Sequence, residues 1–175
     1  IIAKGTPEEI INNALSNFGK KLTPDLKKAI DAKHKSIFEI VTMASILEKE
    51  VRSLEDKKIV SGILWKRIEH GMPLQVDATI NYITGKNDPG ATIEDTKIDS
   101  LYNTYKYRGL PKGPISNPGI ESMLAAVHPQ GSPYWYYLSD QKTGKTIFSK
   151  TLEEHNGAVL KHLSRASIDT DRIID

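Results

Sequence analysis

Cysteine is absent from all 175 residues, which excludes disulfides, a thiol nucleophile and a Cys-ligated zinc site. No apolar run approaches the ~18 residues of a membrane span. Neither sign of charge dominates: 24 basic against 22 acidic side chains leave a formal +2. That balance speaks against nucleic-acid binding, whose affinity comes largely from neutralising phosphates. Apolar residues are not scarce either. At 38% apolar and 26% charged, the chain can bury enough surface to offset its ordering entropy, so it is no disordered tail. A cysteine-free chain fits the cytosol and also a bacterial cell surface that uses no disulfides. The sequence opens Ile1-Ile2-Ala3-Lys4-Gly5 with no initiator Met, signal peptide or anchor. It is therefore read as an excised domain whose targeting information has been cut away.

What is present reads as helices first. Thr6, Pro7 and Glu9 form a capping box with Pro at the first helical position, opening a helix to about Lys20. Thr23-Pro24 opens a second, to about His34, and Ser36 with Glu39 a third, through about Leu54. A fourth spans about Asp56 to His70, with Gly71 placed to end it. From Pro73 to Pro118 the composition turns to Gly, Pro, Tyr and Thr, which predicts loops and short strands. Asn117-Pro118 starts a short helix carrying Ile120, Leu124 and Val127. Tyr134–Leu138 and Thr146–Ser149, joined by a Lys-Thr-Gly turn, predict a hairpin. Thr151 and Glu154 cap a last helix to about His162, and the tail after Ser164 has no apolar period. The fold class is α+β, mainly helical with a small antiparallel hairpin: one domain over residues 1–163 and a loose tail over 164–175.

The third helix carries an anomaly. On a wheel of ~100° per residue, Ile37, Ile40, Val41, Met43, Ala44, Ile46, Leu47, Val51 and Leu54 fill one broad arc. Thr42, Ser45, Lys49, Arg52 and Ser53 fill the other side. Glu48 and Glu50 fall within the apolar arc, Glu50 nearer its edge. A carboxyl group among apolar neighbours loses hydration, its pKa rises, and a carboxyl protonated near neutral pH is what a general acid requires. The structural alternative is that one or both cap a loop or pair with Arg52, Lys57 or Arg67. The wheel does not choose between Glu48 and Glu50 as the acid.

Other segments carry weaker signals. Gln75 and Asp77 follow the Gly71-Met72-Pro73 break at i, i+2 spacing. On an extended segment they face one side and suit sugar hydroxyls, though a turn Asp bonding its own backbone is equally compatible. Tyr102-Asn103-Thr104-Tyr105 alternates aromatic rings that stack on sugars with an amide that bonds their hydroxyls; such residues are also common in plain strands. Gly109-Leu110-Pro111-Lys112-Gly113-Pro114-Ile115 reads as a rigid wall. Tyr134–Tyr137 is aromatic on both faces, one for the core and one for a binding platform or partner contact. Phosphate-loop, HExxH and GxSxG patterns are all missing, so no metal, organic cofactor or serine nucleophile is expected.

Taken together these segments resemble the endolytic murein transglycosylases, the MltG or YceG-like family. The pieces are Met43–Glu50; Leu64–Ile68 followed by Gly71–Thr79; Tyr102–Tyr105; Gly109–Pro111 through Asn117–Gly119; Ala125–Pro129; and Phe148–Asn156. They occur in the family's order over about residues 37 to 163. The resemblance implies a lytic-transglycosylase-like cleft and a bacterial enzyme that cuts peptidoglycan glycan strands internally. Cleavage would fall between N-acetylmuramic acid and N-acetylglucosamine and leave 1,6-anhydro ends. The family's catalytic acid is the second glutamate of the Glu-Lys-Glu run, which maps onto Glu50. Gln75, Asp77, Tyr102, Asn103 and Thr104 are then expected to position the glycan, with Glu48 or Asp77 as the second carboxylate a hydrolase would need. A lysozyme-like hydrolase and a non-catalytic glycan-binding scaffold are the rival readings. The resemblance further implies a parent protein with an N-terminal membrane anchor and a LysM-like domain. It would work at the extracytoplasmic face of the cell membrane, with peptidoglycan synthases as neighbours. The family's Phe-Pro-Asp-Thr segment, upstream of the first helices, is not in this sequence.

Overall fold

The computed structural model describes residues 5–86, 90–140 and 143–163. The tail expected to be loose, 164–175, lies outside the described residues. Helices α1 (Pro7–Lys21) and α2 (Pro24–Ala32) begin where their caps predict, with Thr6 and Thr23 accepting from the backbone N–H groups of Glu9 and Leu26. No residue of α1 is buried, whereas α2 sends Leu26 and Ile30 into the core.

Helix α3 (Ile37–Glu50) is the central element and packs chiefly on α4 (Leu54–Glu69) and α6 (Ile120–Val127). Its start matches the capping box, with Ser36 Oγ accepting from Glu39 N–H and the Glu39 carboxylate accepting from Ser36 N–H. Its end does not match. The expected run to Leu54 stops at Glu50, because Val51 turns extended (φ −143°, ψ 154°) and Ser53 caps α4 through Asp56 N–H. Apolar periodicity stays in phase across this break, so the wheel shows no interruption. The polar side of the wheel is also corrected: Thr42 and Ser45 are buried. The Thr42 hydroxyl donates to Phe38 O. Ser45 Oγ donates to Thr42 O and accepts from Ile115 N–H, which fastens the Gly109–Gly119 loop along α3.

Residues 73–118 contain no strand among those described. Instead there is a helix, α5 (Asp77–Thr84), a single 3-10 turn (Asp95–Lys97) and ordered loops. The sequence of α5, Asp-Ala-Thr-Ile-Asn-Tyr-Ile-Thr, has strand-like composition, and its N-cap Val76 offers no side-chain cap. Burial of Thr79 and Ile80 overrides that weak local preference. Helix α6 lies where predicted but faces otherwise: Ile120 and Leu124 are exposed, while Met123, Ala125, Ala126 and Val127 enter the core. Strands β1 (Tyr136–Ser139) and β2 (Thr146–Ser149) pair antiparallel with Tyr137 opposite Phe148, and α7 (Leu152–Leu163) packs on them. The α+β class is as expected, and the hairpin lies beside the C-terminal end of α3, where Ser139 Oγ donates to Glu50 O at 2.7 Å.

Candidate active site

Glu50 is the last residue of α3, so its side chain leaves the helix where the neighbouring elements converge. It is half-buried. The Tyr137 hydroxyl, from β1, donates to Glu50 Oε2 at 3.0 Å. The Ala78 N–H, in the first turn of α5, also hydrogen-bonds the carboxylate, and the Asp77 carboxylate faces it. These influences oppose one another. Burial raises the Glu50 pKa most, the Asp77 charge raises it further, and the bonds from Tyr137 and Ala78 lower it. Burial wins, and Glu50 is pushed from 4.5 up to about 7. A carboxyl group balanced there can give a proton and take one back.

The surrounding shell holds this geometry. The Tyr105 hydroxyl donates to Asp77 Oδ1. Burial and the nearby carboxylates push the Tyr105 and Tyr137 phenols well above their usual range, so both stay protonated donors. Arg67, 5% exposed, spends its guanidinium on backbone carbonyls. Nε donates to Trp135 O at 2.9 Å, and Nη1 to Leu74 O at 2.9 Å and Pro73 O at 3.3 Å. One buried cation thereby ties the loop leading to Asp77 and the segment leading to Tyr137 onto α4. It forms none of the described ion pairs, so Glu50 is not clasped by it.

Glu48, weighed as a second carboxylate, faces elsewhere. Two residues along α3 is a rotation of ~200°. Its Oε2 accepts from Ser122 Oγ at 2.5 Å, Gly119 N–H at 3.2 Å and Lys57 Nζ at 3.4 Å. The Ser122 hydroxyl is foremost in holding Glu48 below the usual carboxylate range. Glu48 is thus an ionised cap supplied to α6, whose own N-cap, Gly119, has no side chain to offer. Capping is the structural alternative, and here it is the correct one.

The expected glycan-positioning residues separate. Asp77 stands beside Glu50. Gln75 and Asp77 do not share an extended face: Gln75 is exposed at φ +53°, and Asp77 begins a helix. Asn103 is fully buried, its amide donating to Thr96 O and Ile98 O at 2.8 Å. Thr104, equally buried, accepts from Val76 N–H at 3.0 Å and pairs with the Thr79 hydroxyl. Side chains so enclosed cannot touch a glycan, so these two shape the loops instead. Tyr102 is half-buried and packs against Tyr82, ring centroids 4.9 Å apart. Pattern reading does not assign Tyr105, Tyr137 or Arg67 to the shell of the acid. Tyr105 and Tyr137 lie within segments already singled out, and Arg67 is among the pairing partners weighed for the glutamates, but no spacing rule links strand residue Tyr137 to Glu50, 87 positions earlier. A cavity of about 260 Å³, lined by Phe38, Trp65, Leu110 and Pro111 among others, lies toward the opposite end of α3. Among the described residues no three His, Asp or Glu side chains converge as a metal would require.

Comparison with known proteins identifies the family. Residues 1–161 match the YceG-like family. The chain is 41% identical over 129 residues to the endolytic murein transglycosylase of Bacillus subtilis (strain 168), covering 74% of this chain and 36% of that protein. It is 32% identical over 164 residues to the endolytic murein transglycosylase of Streptococcus pneumoniae serotype 2 (strain D39), covering 91% of this chain and 30% of that protein. The chain thus spans about a third of the length of these curated relatives. A crystal structure of a YceG-like protein from Listeria monocytogenes superposes with a TM-score of 0.82 at 40% identity, over 90% of this chain and 52% of that one. A family match over nearly the whole chain, joined to the same fold in a solved relative, places this protein in the YceG-like family.

Proposed function

We propose that this chain carries the catalytic centre of an endolytic murein transglycosylase. It cuts the β-1,4 bond between N-acetylmuramic acid and N-acetylglucosamine within peptidoglycan strands and leaves 1,6-anhydro ends. The observation that carries this reading is one carboxyl group, Glu50, held near pH 7 and faced by a second, Asp77. Protonated Glu50 gives its proton to the glycosidic oxygen as the C1–O bond breaks. Positive charge develops at C1 and the ring oxygen, and Asp77, oriented by Tyr105, stabilises it electrostatically. The C6 hydroxyl of the muramoyl residue then attacks C1, and the Glu50 carboxylate takes the hydroxyl proton. The 1,6-anhydro ring closes without water, and Glu50 returns to its starting state. One group serving as acid and then base works best with a pKa near the working pH, which is where burial puts Glu50. Further parts of the reading come from the family resemblance alone. They are a membrane-anchored parent protein, action at the extracytoplasmic face, and peptidoglycan synthases as neighbours.

The test is digestion of peptidoglycan with the natural protein and mass analysis of the products. Anhydro ends, lighter by one water than hydrolytic ends, are expected, and Glu50→Gln abolishes cleavage while folding is retained. Reducing ends would instead make Asp77 the nucleophile or base of a hydrolase. Glycan binding without turnover by the wild-type protein would leave a scaffold.

A further inference from the structure

We infer that Tyr82, Tyr102 and Phe38 form a distal sugar-binding track that holds non-reacting sugars of the strand being cut. This rests on the reading of the protein as glycan-cleaving. Three observations carry it. First, the track is continuous with the candidate active site. Ala78, whose N–H reaches Glu50, and Tyr82 stand at i, i+4 on one face of α5, about one turn or ~6 Å apart. Tyr102 lies three residues before Tyr105, which binds Asp77, on a loop pinned from within by Asn103 and Thr104. Second, the rings are displayed rather than enclosed. Tyr82 is 49% exposed and Phe38 57% exposed, and Tyr82 meets Tyr102 at a tilt of 42°. Third, a residue with no side chain lies beside both rings. A Cβ on Gly113 would stand 3.2 Å from the Tyr102 hydroxyl, closer than ordinary contact, and 3.4 Å from Phe38 Cζ, so the loop lies against both rings and its glycine lets Tyr102 approach. Beyond Phe38 the track runs into the cavity it shares with Trp65.

Aromatic faces bury the C–H faces of sugar rings and hold their position with little conformational freedom to lose. The ligand class is a β-1,4-linked amino-sugar chain longer than the pair of sugars being cleaved. Binding energy from such remote sugars can be used to orient the reacting bond. The consequence is a preference for long strands, set outside the catalytic residues.

The experiment measures calorimetric affinity of uncross-linked glycan strands of defined length for the natural protein carrying Glu50→Gln. Affinity is expected to rise with length. Adding Tyr82→Ala or Phe38→Ala lowers long-strand affinity by roughly tenfold each, while a disaccharide fragment changes by less than twofold. Tyr82→Phe, which keeps the stacking face, restores long-strand binding. In the otherwise wild-type enzyme, Tyr82→Ala raises KM for long strands. Unchanged long-strand affinity in both alanine variants, with glycan binding and turnover otherwise intact, overturns the track alone. No glycan binding at any length by the wild-type protein overturns the track together with the function it rests on.

Discussion

Replacing Glu50 with Gln should stabilise this protein, and only above a definite pH. In the unfolded chain the carboxyl group ionises around 4.5, whereas in the folded protein it does so at about 7. The folded state therefore binds the proton more tightly, and folding stability attached to this group is fully present below 4.5 and lost as pH rises through 7. The gap corresponds to about 3 to 4 kcal/mol at ~1.4 kcal/mol per pH unit, taken as an upper figure because the half-buried Glu50 can gain water when it ionises. Gln keeps the shape and removes the charge, so the variant escapes the loss. Thermal unfolding at pH 5, 6, 7 and 8 is the assay. The advantage of Glu50→Gln over wild type should grow from pH 5 to pH 7 and then level off. For a domain of this size, about 2 to 3 kcal/mol is an increase in Tm of roughly 4 to 12 °C. A difference between variant and wild type that does not vary with pH would refute the raised pKa and the acid role built on it. Activity moves the other way, and that opposition marks a group kept for chemistry at a cost in stability.

The neighbours of Glu50 should shift its titration in opposite directions. Asp77→Asn removes a charge that raises the Glu50 pKa, and Tyr137→Phe removes a hydrogen bond that lowers it. The alkaline limb of kcat/KM should move to lower pH in the first variant and higher pH in the second, each by roughly one pH unit or less. Glu48→Ala should cost about 1 to 2 kcal/mol at pH 7 by uncapping α6. Because the Glu48 pKa is held low, wild type and variant should converge in urea unfolding as pH falls well below 4.5. Gly62→Ala would ordinarily favour a helix by ~1 kcal/mol. Here the new Cβ would lie 2.0 Å from the Gln130 carbonyl oxygen, a backbone atom, so a net loss of about 2 kcal/mol or more is expected in denaturant unfolding.

Much of the fold is local and could be read directly. Thr6, Ser36 and Thr151 act as N-caps because a hydroxyl two or three residues from an orphan N–H needs no tertiary context. The hairpin follows the same logic, with Gly144 at φ +69° beside β2. Helix α5 was hidden because its residues prefer strand, and only burial of Thr79 and Ile80 makes it helical. The break after Glu50 was hidden because two helices shared one apolar phase.

The sequence by itself determined that an acidic pair sits on an apolar helix, that the class is α+β, and that the motif order is that of one family. Periodicity, caps and turns are short-range, so a linear chain displays them. Only the tertiary structure shows how differently the two glutamates are housed. Ser122, Gly119 and Lys57 hold Glu48 ionised from more than one distant element, while Tyr137, Ala78 and Asp77 enclose Glu50. A pKa is set by what surrounds the carboxyl group in space, and those surroundings come from residues that only folding brings near.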